Sequence, residues 1–227
     1  MADMPGVVAA VKSSLQRALS AHHPSHAALV LEHHDKTWRH LLYPAYKANR
    51  GPTPPLLLDC LDQLSEATGE LGITTISIPS YEADDVIATL ATVVSVHNGK
   101  VIILSTDKIF LQLVNDKVIV YDHFANKRCD RTYVEERYEI AQHQYIDYLA
   151  LVGDKSNNVK GVQGIGPKSA VTMLSEHDSL DRILSAEPAS TMLKKVNENS
   201  ADALRSKQLV TLKTNVELGQ NLKTFRL

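Results

Sequence analysis

The sequence predicts an α/β protein, with a parallel-sheet core over residues 1–125 followed by an all-helical region over residues 126–227. Three observations carry this. Short apolar runs alternate with helical patterns up to about residue 125, as a parallel sheet with right-handed crossovers requires. Val101-Ile102-Ile103-Leu104 is a continuous apolar run of the kind shown by parallel strands buried on both faces. From Arg131 onward the pattern is helical throughout.

Taken in order, Val7 to Leu19 reads as a helix with Val7, Val8, Val11, Leu15 and Leu19 near one stripe. His22-His23-Pro24-Ser25-His26 breaks it, and Ala27 to Leu31 reads as a short buried strand. Glu32-His33-His34-Asp35 follows at the strand's C-terminal end, the edge where ligands sit in open α/β sheets. Adjacent histidines without a companion cluster read as loop residues rather than as a zinc site. Leu56 to Leu71 is a helix, apolar at Leu57, Leu61, Leu64 and Leu71, with Gly72 as its stop. Ile73 to Ile78 alternates Thr and Ile as a strand does, and a further helix runs to Val96. After the Val101–Leu104 strand, Ile109 to Val114 is a short helix and Val118 to Tyr121 a strand. The second half offers helices at Tyr133–Tyr138, Gln142–Val152, Pro167–Leu174 and Leu180–Leu184, then a long imperfect one from Lys194 to Leu212.

Composition narrows the function class only a little. The 227 residues carry 24 basic and 26 acidic side chains, a net charge of −2, which argues against a uniformly basic nucleic-acid binder. It does not exclude a protein whose acidic centre offsets local basic patches in the sum. No apolar run reaches membrane-spanning length, and Met-Ala-Asp-Met-Pro-Gly lacks the basic and apolar regions of a signal peptide. The two cysteines, Cys60 and Cys129, spell no metal spacing and suit a reducing compartment. The expected setting is the cytoplasm, with no membrane partner.

Three stretches carry chemistry. Tyr81-Glu82-Ala83-Asp84-Asp85 places three carboxylates directly before an apolar helical run. With Ser80 as helix cap, acids in the first turn would simply favour the positive end of the macrodipole. Glu82 and Asp85 also share a helix face, and with further acids from strand ends they would form an oxygen-only pocket for Mg²⁺. Asp107, in Ser105-Thr106-Asp107-Lys108 after the Val101–Leu104 strand, is such an acid. The second stretch, Tyr43 to Pro55, mixes aromatic and cationic residues suited to stacking on bases and pairing with phosphates. An ordinary Pro-rich surface loop accounts for it equally well. The third, Gly161-Val-Gln-Gly-Ile-Gly-Pro-Lys-Ser-Ala170, puts Pro167 in the first turn of a helix, where its missing N–H costs nothing. The N–H groups of Gly166, Lys168 and Ser169 would then be free to meet a phosphate. A tight αα connection needs the glycines alone; glycines with Pro, Lys and Ser favour a sequence-blind clamp on a nucleic-acid backbone.

Together these stretches resemble the 5′-nuclease (flap endonuclease) family, and its exonuclease IX-like members in length. Tyr43-Pro-Ala-Tyr-Lys-Ala-Asn-Arg50, Glu82-Ala-Asp-Asp85, Ser105-Thr-Asp-Lys108 with Gln112-Leu113, Gly153-Asp154 and Gly161–Ala170 occur in family order across nearly the whole chain. The resemblance implies a PIN-like nuclease core, a helix–three-turn–helix element, and a Mg²⁺- or Mn²⁺-dependent phosphodiesterase. Its substrate would be branched DNA with a 5′ single-stranded arm. It implies that Glu82, Asp84 and Asp85 belong to a first metal site, with Glu32 at the preceding strand end, and that Asp107 bridges to a second site holding Asp154. Lys47 and Arg50 match the cations that reach the scissile phosphate and arm. Gly164, Ile165, Gly166, Pro167, Lys168 and Ser169 match the DNA-contacting turn. The carbonyls of Leu151, Val152, Lys160, Val162 and Ile165 match a K⁺ site.

The departures are specific. The family opens with an apolar strand ending in Asp, whereas this sequence starts at a helix. Glu32 replaces a strand-end Asp, and Ile109 and Asn157 stand where full two-metal members have Asp. Slow cleavage by a monomer with a reduced second site is the expectation. A non-catalytic flap- or duplex-binding protein on a nuclease fold is the alternative, and a small single-strand ribonuclease of related fold would have no use for the Gly161–Ala170 clamp.

Overall fold

The structure, a computed structural model, describes residues 4–33 and 35–227. His34 of the Glu32–Asp35 turn, the first three residues and the side chains of Met4, Pro5, Leu56, Leu57 and Asp59 lie outside that description. In chain order the elements are α1 (Met4–His22), β1 (Ala28–Val30), α2 (Trp38–Leu42), α3 (Pro55–Gly69), β2 (Thr74–Ile76), α4 (Ala83–Val96), β3 (Val101–Leu104), β4 (Val118–Asp122) and β5 (Lys127–Cys129). Then come α5 (Arg131–Tyr138), α6 (Tyr145–Val152), α7 (Pro167–His177), α8 (Leu180–Ser185), α9 (Thr191–Glu198) and α10 (Ser200–Val210). Short 3₁₀ turns lie at Lys108–Leu113, Gln142–Gln144, Lys155–Asn157 and Leu222–Phe225.

The chain divides into two compact units. The first comprises residues 1–37, 50–86 and 215–227. Its two strands run parallel, with Leu29 opposite Thr75 and Val30 opposite Ile76. Helix α1 packs on α3, and a Lys12–Glu70 ion pair links the two segments. The C-terminal segment is tied in by Ala27 N–H donating to Phe225 O and by an isolated bridge between His26 and Arg226. Phe225 is buried, which anchors that segment by an apolar side chain as well as by backbone bonds.

The second unit comprises residues 38–49 and 87–214. Its sheet has the order β3-β4-β5, parallel between β3 and β4 and antiparallel between β4 and β5. The expected parallel pairing is therefore present, with a hairpin added by Lys127–Cys129. Helices α6 and α10 pack together, and α7 packs on α6. Leu151, Met173, Leu174, Leu180, Ile183 and Val196 are among the fully buried side chains of that helical core.

Three expectations differ from the fold. Val101–Leu104 is not covered on both faces: Ile103 is buried, but Ile102 and Leu104 are 39% and 41% exposed. Among the described residues β3 pairs only with β4 and is an edge strand, so one face and one edge lack the neighbours that a central parallel strand has. The long imperfect helix from Lys194 to Leu212 is two helices, broken at Asn199 (φ −111°, ψ 26°), whose carbonyl accepts from Asp202 and Ala203. Ser80 does not cap α4: it lies in a turn at φ +67°, and the helix starts at Ala83. The carbonyl of Glu82 accepts the first helical bonds, from Asp85 N at 3.0 Å and Val86 N at 3.3 Å.

Candidate active site

The acid cluster sits at the head of α4, with Asp84 and Asp85 in the first turn. Glu82 and Asp85 are 1% and 0% exposed, while Asp84 is half-buried. Carboxylates shut away from water to this degree are rare unless partnered, and all three engage further groups of the protein. Glu32, at the C-terminal end of β1, reaches this point through Oε2, which accepts the N–H of Ala83 at 2.9 Å. That N–H is one of the orphan donors of a helix start, so the glutamate caps α4 and ties the end of β1 to it. Arg50 belongs to the same unit and is exposed.

In the second unit Asp107 follows β3 and caps the 3₁₀ turn Lys108–Leu113. Its Oδ1 accepts from Ile109 N at 2.8 Å, and its own N–H donates to Ser105 Oγ at 3.0 Å. The carboxylate is exposed, on a turn anchored by the buried side chains of Phe110 and Leu111. Tyr145 lies nearby: burial raises its hydroxyl pKa, reinforced by a hydrogen bond with Tyr138 and by the charge of Asp107.

Asp154 opens a closed loop. Its backbone exchanges two 2.8 Å hydrogen bonds with Val159, with the 3₁₀ turn Lys155–Asn157 between. Its Oδ1 accepts from Ser156 N at 2.9 Å and Ser156 Oγ at 2.6 Å, and its Oδ2 from Asn157 Nδ2 at 2.6 Å. The Tyr43–Asn49 stretch is stitched onto this loop. Lys47 N–H donates to Asn157 O at 3.0 Å, Asn49 Nδ2 to Lys155 O at 2.9 Å, and Asn158 Nδ2 to Ala45 O at 2.6 Å. Lys47 adopts φ +54° there, and its ammonium lies 5.3 Å from the centre of the buried Tyr46 ring. What reads as a loop in sequence is thus held in place, and Lys47 and Asp154 share one neighbourhood. Asn49 and Asn158 are the residues that sequence reasoning missed, because asparagines in loops carry no local signal of a distant partner. Arg39 was missed in the same way. It is 1% exposed, and its guanidinium donates to the carbonyls of Leu209 (2.8 Å) and Thr211 (3.2 Å), closing the C-terminal end of α10.

The glycine-rich segment joins α6 to α7 by a close backbone crossing. A Cβ on Gly161 (φ +64°) would fall 2.4 Å from Gly153 N and 2.7 Å from Leu151 O, and one on Gly153 would fall 2.7 Å from the carbonyl carbon of Lys160. Leu151 and Val152 are thereby brought beside Lys160 and Val162. Val162 N–H donates to Leu151 O at 2.9 Å and Ile165 N–H to Val162 O at 3.1 Å, which leaves each carbonyl a second lone pair. Gly166 is the N-cap of α7, without a side-chain cap, and Pro167 is in its first turn. The first-turn N–H groups of Lys168 and Ser169 have no helical acceptor. Ile165 is buried and offers only its backbone to a ligand.

Among the described residues no three His, Cys, Asp or Glu side chains converge as a ready-made metal cage. The donor set is nonetheless all carboxylate, which fits a hard divalent cation in kind. No helix of the described residues is long and apolar enough to cross a membrane.

Carboxylates stand at strand and helix ends, and a glycine-rich backbone crossing joins α6 to α7. Residues 4–139 match the 5′-3′ exonuclease N-terminal resolvase-like domain, and residues 140–227 the 5′-3′ exonuclease C-terminal SAM fold. The chain belongs to the 5′-3′ exonuclease family and is a phosphodiesterase. It is 40% identical over 230 residues to a Psychromonas ingrahamii protein named flap endonuclease Xni, covering 99% of this chain and 88% of that one. A Shewanella woodyi protein of the same name is 40% identical over 227 residues, covering 99% and 90%. The fold is similar to that of T5 5′-exonuclease solved with bound zinc, at a TM-score of 0.80 and 22% identity, covering 91% of this chain and 82% of that one.

Proposed function

We propose that the chain is a Mg²⁺-dependent, structure-specific endonuclease that cuts branched DNA carrying a 5′ single-stranded arm, slowly, as a cytoplasmic monomer. The observation that carries this reading is the head of α4, where buried Glu82 and Asp85 and half-buried Asp84 are joined by Glu32 through its bond to Ala83 N. These four carboxylates would hold the first ion, with Asp107 and Asp154 serving a weaker second one. A divalent ion, when bound, supplies water activation and charge stabilisation for an in-line displacement at phosphorus. Lys47 and Arg50 would counter the charge that develops on the scissile phosphate. Gly164 to Ser169 would grip duplex backbone, with K⁺ held by the carbonyls of Leu151, Val152, Lys160, Val162 and Ile165.

A second reading, a flap- or duplex-binding protein that does not cut, is favoured by two observations. Asp154 Oδ2 is satisfied by the neutral amide of Asn157, and Ile109 is a buried apolar side chain beside Asp107. Flap cleavage across a Mg²⁺ series, for the wild type and Asp84→Asn, separates the two. Cleavage near the junction that rises with Mg²⁺ and disappears in Asp84→Asn supports the enzyme. Tight flap binding with no cleavage at any Mg²⁺ concentration would replace it by the binder. Duplex affinity in KCl against NaCl tests the K⁺ assignment, equal affinities being the result against it.

A further inference from the structure

The Gly164 turn has a neighbour that its own sequence does not announce. Lys195, on α9, lays the end of its side chain across it: a Cβ added at Gly164 would stand 3.2 Å from Lys195 Nζ, 3.6 Å from Cδ and 3.7 Å from Cε. Gly164 is at φ +78°, so the turn both needs a glycine and leaves its backbone open at that spot. The helix that carries the lysine is firmly seated. Ser190 Oγ caps it by accepting Leu193 N–H at 3.2 Å, and Leu193 and Val196 are buried on either side of the exposed pair Lys194 and Lys195. Among the described residues the Lys195 ammonium has no carboxylate or other hydrogen-bond partner, and the same holds for Lys168. An ammonium held over bare backbone, at a turn followed by unsatisfied helix N–H groups, is arranged for an incoming anion rather than for an internal ion pair.

We propose that Lys195 is a phosphate-binding residue of the duplex clamp, acting with Lys168 on the sugar–phosphate backbone and blind to base sequence. The inference rests on reading Gly164 to Ser169 as a DNA-contacting turn and extends that surface to α9. The competing explanation is that the lysine stem merely covers the turn while its charge stays in water.

The test is the salt dependence of duplex affinity, measured by fluorescence anisotropy with the full chain, a blunt DNA duplex and no divalent metal. Lys195→Met keeps the apolar stem and removes the charge, and Lys195→Arg keeps the charge. Each phosphate neutralised contributes about 0.9 to the slope of log affinity against log salt. Lys195→Met should therefore shallow the slope by about 0.9, equally for duplexes of different sequence, and Lys195→Arg should restore it. Lys194→Met, the exposed neighbour, should leave the slope unchanged. A wild-type slope in Lys195→Met, with a reduced one in Lys168→Ala, would overturn the role of Lys195 while sparing the clamp. Equal losses in Lys194→Met and Lys195→Met would reduce the effect to general charge and overturn it too. A wild-type protein with no duplex affinity would remove the clamp and this inference together. Lys195→Gln, compared in melting temperature with the wild type, guards against a loss of slope caused by misfolding of the Met variant.

Discussion

The side-chain amide of Asn157 donates to Oδ2 of Asp154 across 2.6 Å. With Ser156 N and Oγ on Oδ1, the carboxylate is satisfied by the protein itself, without a cation. Asn157→Asp would replace a donor by a second carboxylate at hydrogen-bonding distance in a largely buried position. Losing a hydrogen bond to a charged group costs about 2 kcal/mol, and the like charges add to that loss. The variant should melt below the wild type in chelator and recover with millimolar Mg²⁺, as followed by scanning calorimetry. A melting temperature indifferent to Mg²⁺ would show that Asp154 does not belong to a cation site.

At the head of α4 the same logic runs with more charge. Changes around a metal ligand cost about 10–100-fold in metal affinity, so Asp84→Asn should lose at least that much in calorimetric titration with Mn²⁺. Glu32→Gln is the discriminating companion. Its amide oxygen still accepts from Ala83 N–H, so the start of α4 should hold its circular dichroism while the metal affinity falls. Equal binding by all three proteins would sink the assignment of this cluster.

Much of this arrangement is legible in sequence because it is local. The strand at Val101–Leu104, the acids in the first turn of α4 and the glycines between α6 and α7 each follow from a pattern within a dozen or so residues. What is not legible depends on distant partners. Nothing in the sequence around Arg39 announces its partners, the carbonyls of Leu209 and Thr211. The exposure of Ile102 and Leu104 depends on which strands neighbour β3, which its own apolar run cannot specify. Glu32 is visible as a strand-end acid, but its seat against Ala83 N–H is not.

At the surface of the second unit, Asp178 tests an electrostatic pair. A hydrogen bond from His143 Nε2 at 3.0 Å, aided by the charges of His143 and of Arg182 at 3.5 Å, holds its carboxyl below the ordinary value of 3.8. A depressed folded pKa stabilises the protein above 3.8, and that contribution is lost as pH falls through the folded value. His143→Ala should move the Asp178 titration, read by side-chain carboxyl NMR, back up toward 3.8. The stability difference between variant and wild type should close at the lowest pH. An unmoved titration would mean that the pair does not form in solution.

Gly161→Ala probes the backbone crossing. A Cβ 2.4 Å from Gly153 N has no room, and φ +64° is itself unfavourable for alanine. Overpacking alone costs about 1–3 kcal/mol, so urea denaturation should show a loss of at least that size. Duplex affinity measured under folding conditions should drop as well, since Leu151 and Val152 would be pushed from Lys160 and Val162. Full stability in this variant would mean that the two glycine segments do not touch.

Ile109 decides how far the second acid set can be rebuilt. Its N–H caps onto Asp107 Oδ1, but its side chain is buried in the apolar cluster with Phe110 and Leu111. Ile109→Asp would therefore trade apolar burial for a carboxylate in a dry place, at a cost of about 3 kcal/mol or more unless a cation or proton neutralises it. Asn157→Asp, by contrast, changes a residue already hydrogen-bonded to a carboxylate. The single Asn157→Asp variant should thus lower the Mg²⁺ concentration needed for flap cleavage. Adding Ile109→Asp should lower it further only where the double variant remains folded, as judged by its melting temperature at each Mg²⁺ concentration. Cleavage that begins at the same Mg²⁺ concentration in the wild type and in both folded variants would exclude Asp107 and Asp154 from the catalytic ion's surroundings. If none of them cuts while all bind flaps, the acids are remnants on a DNA-binding protein.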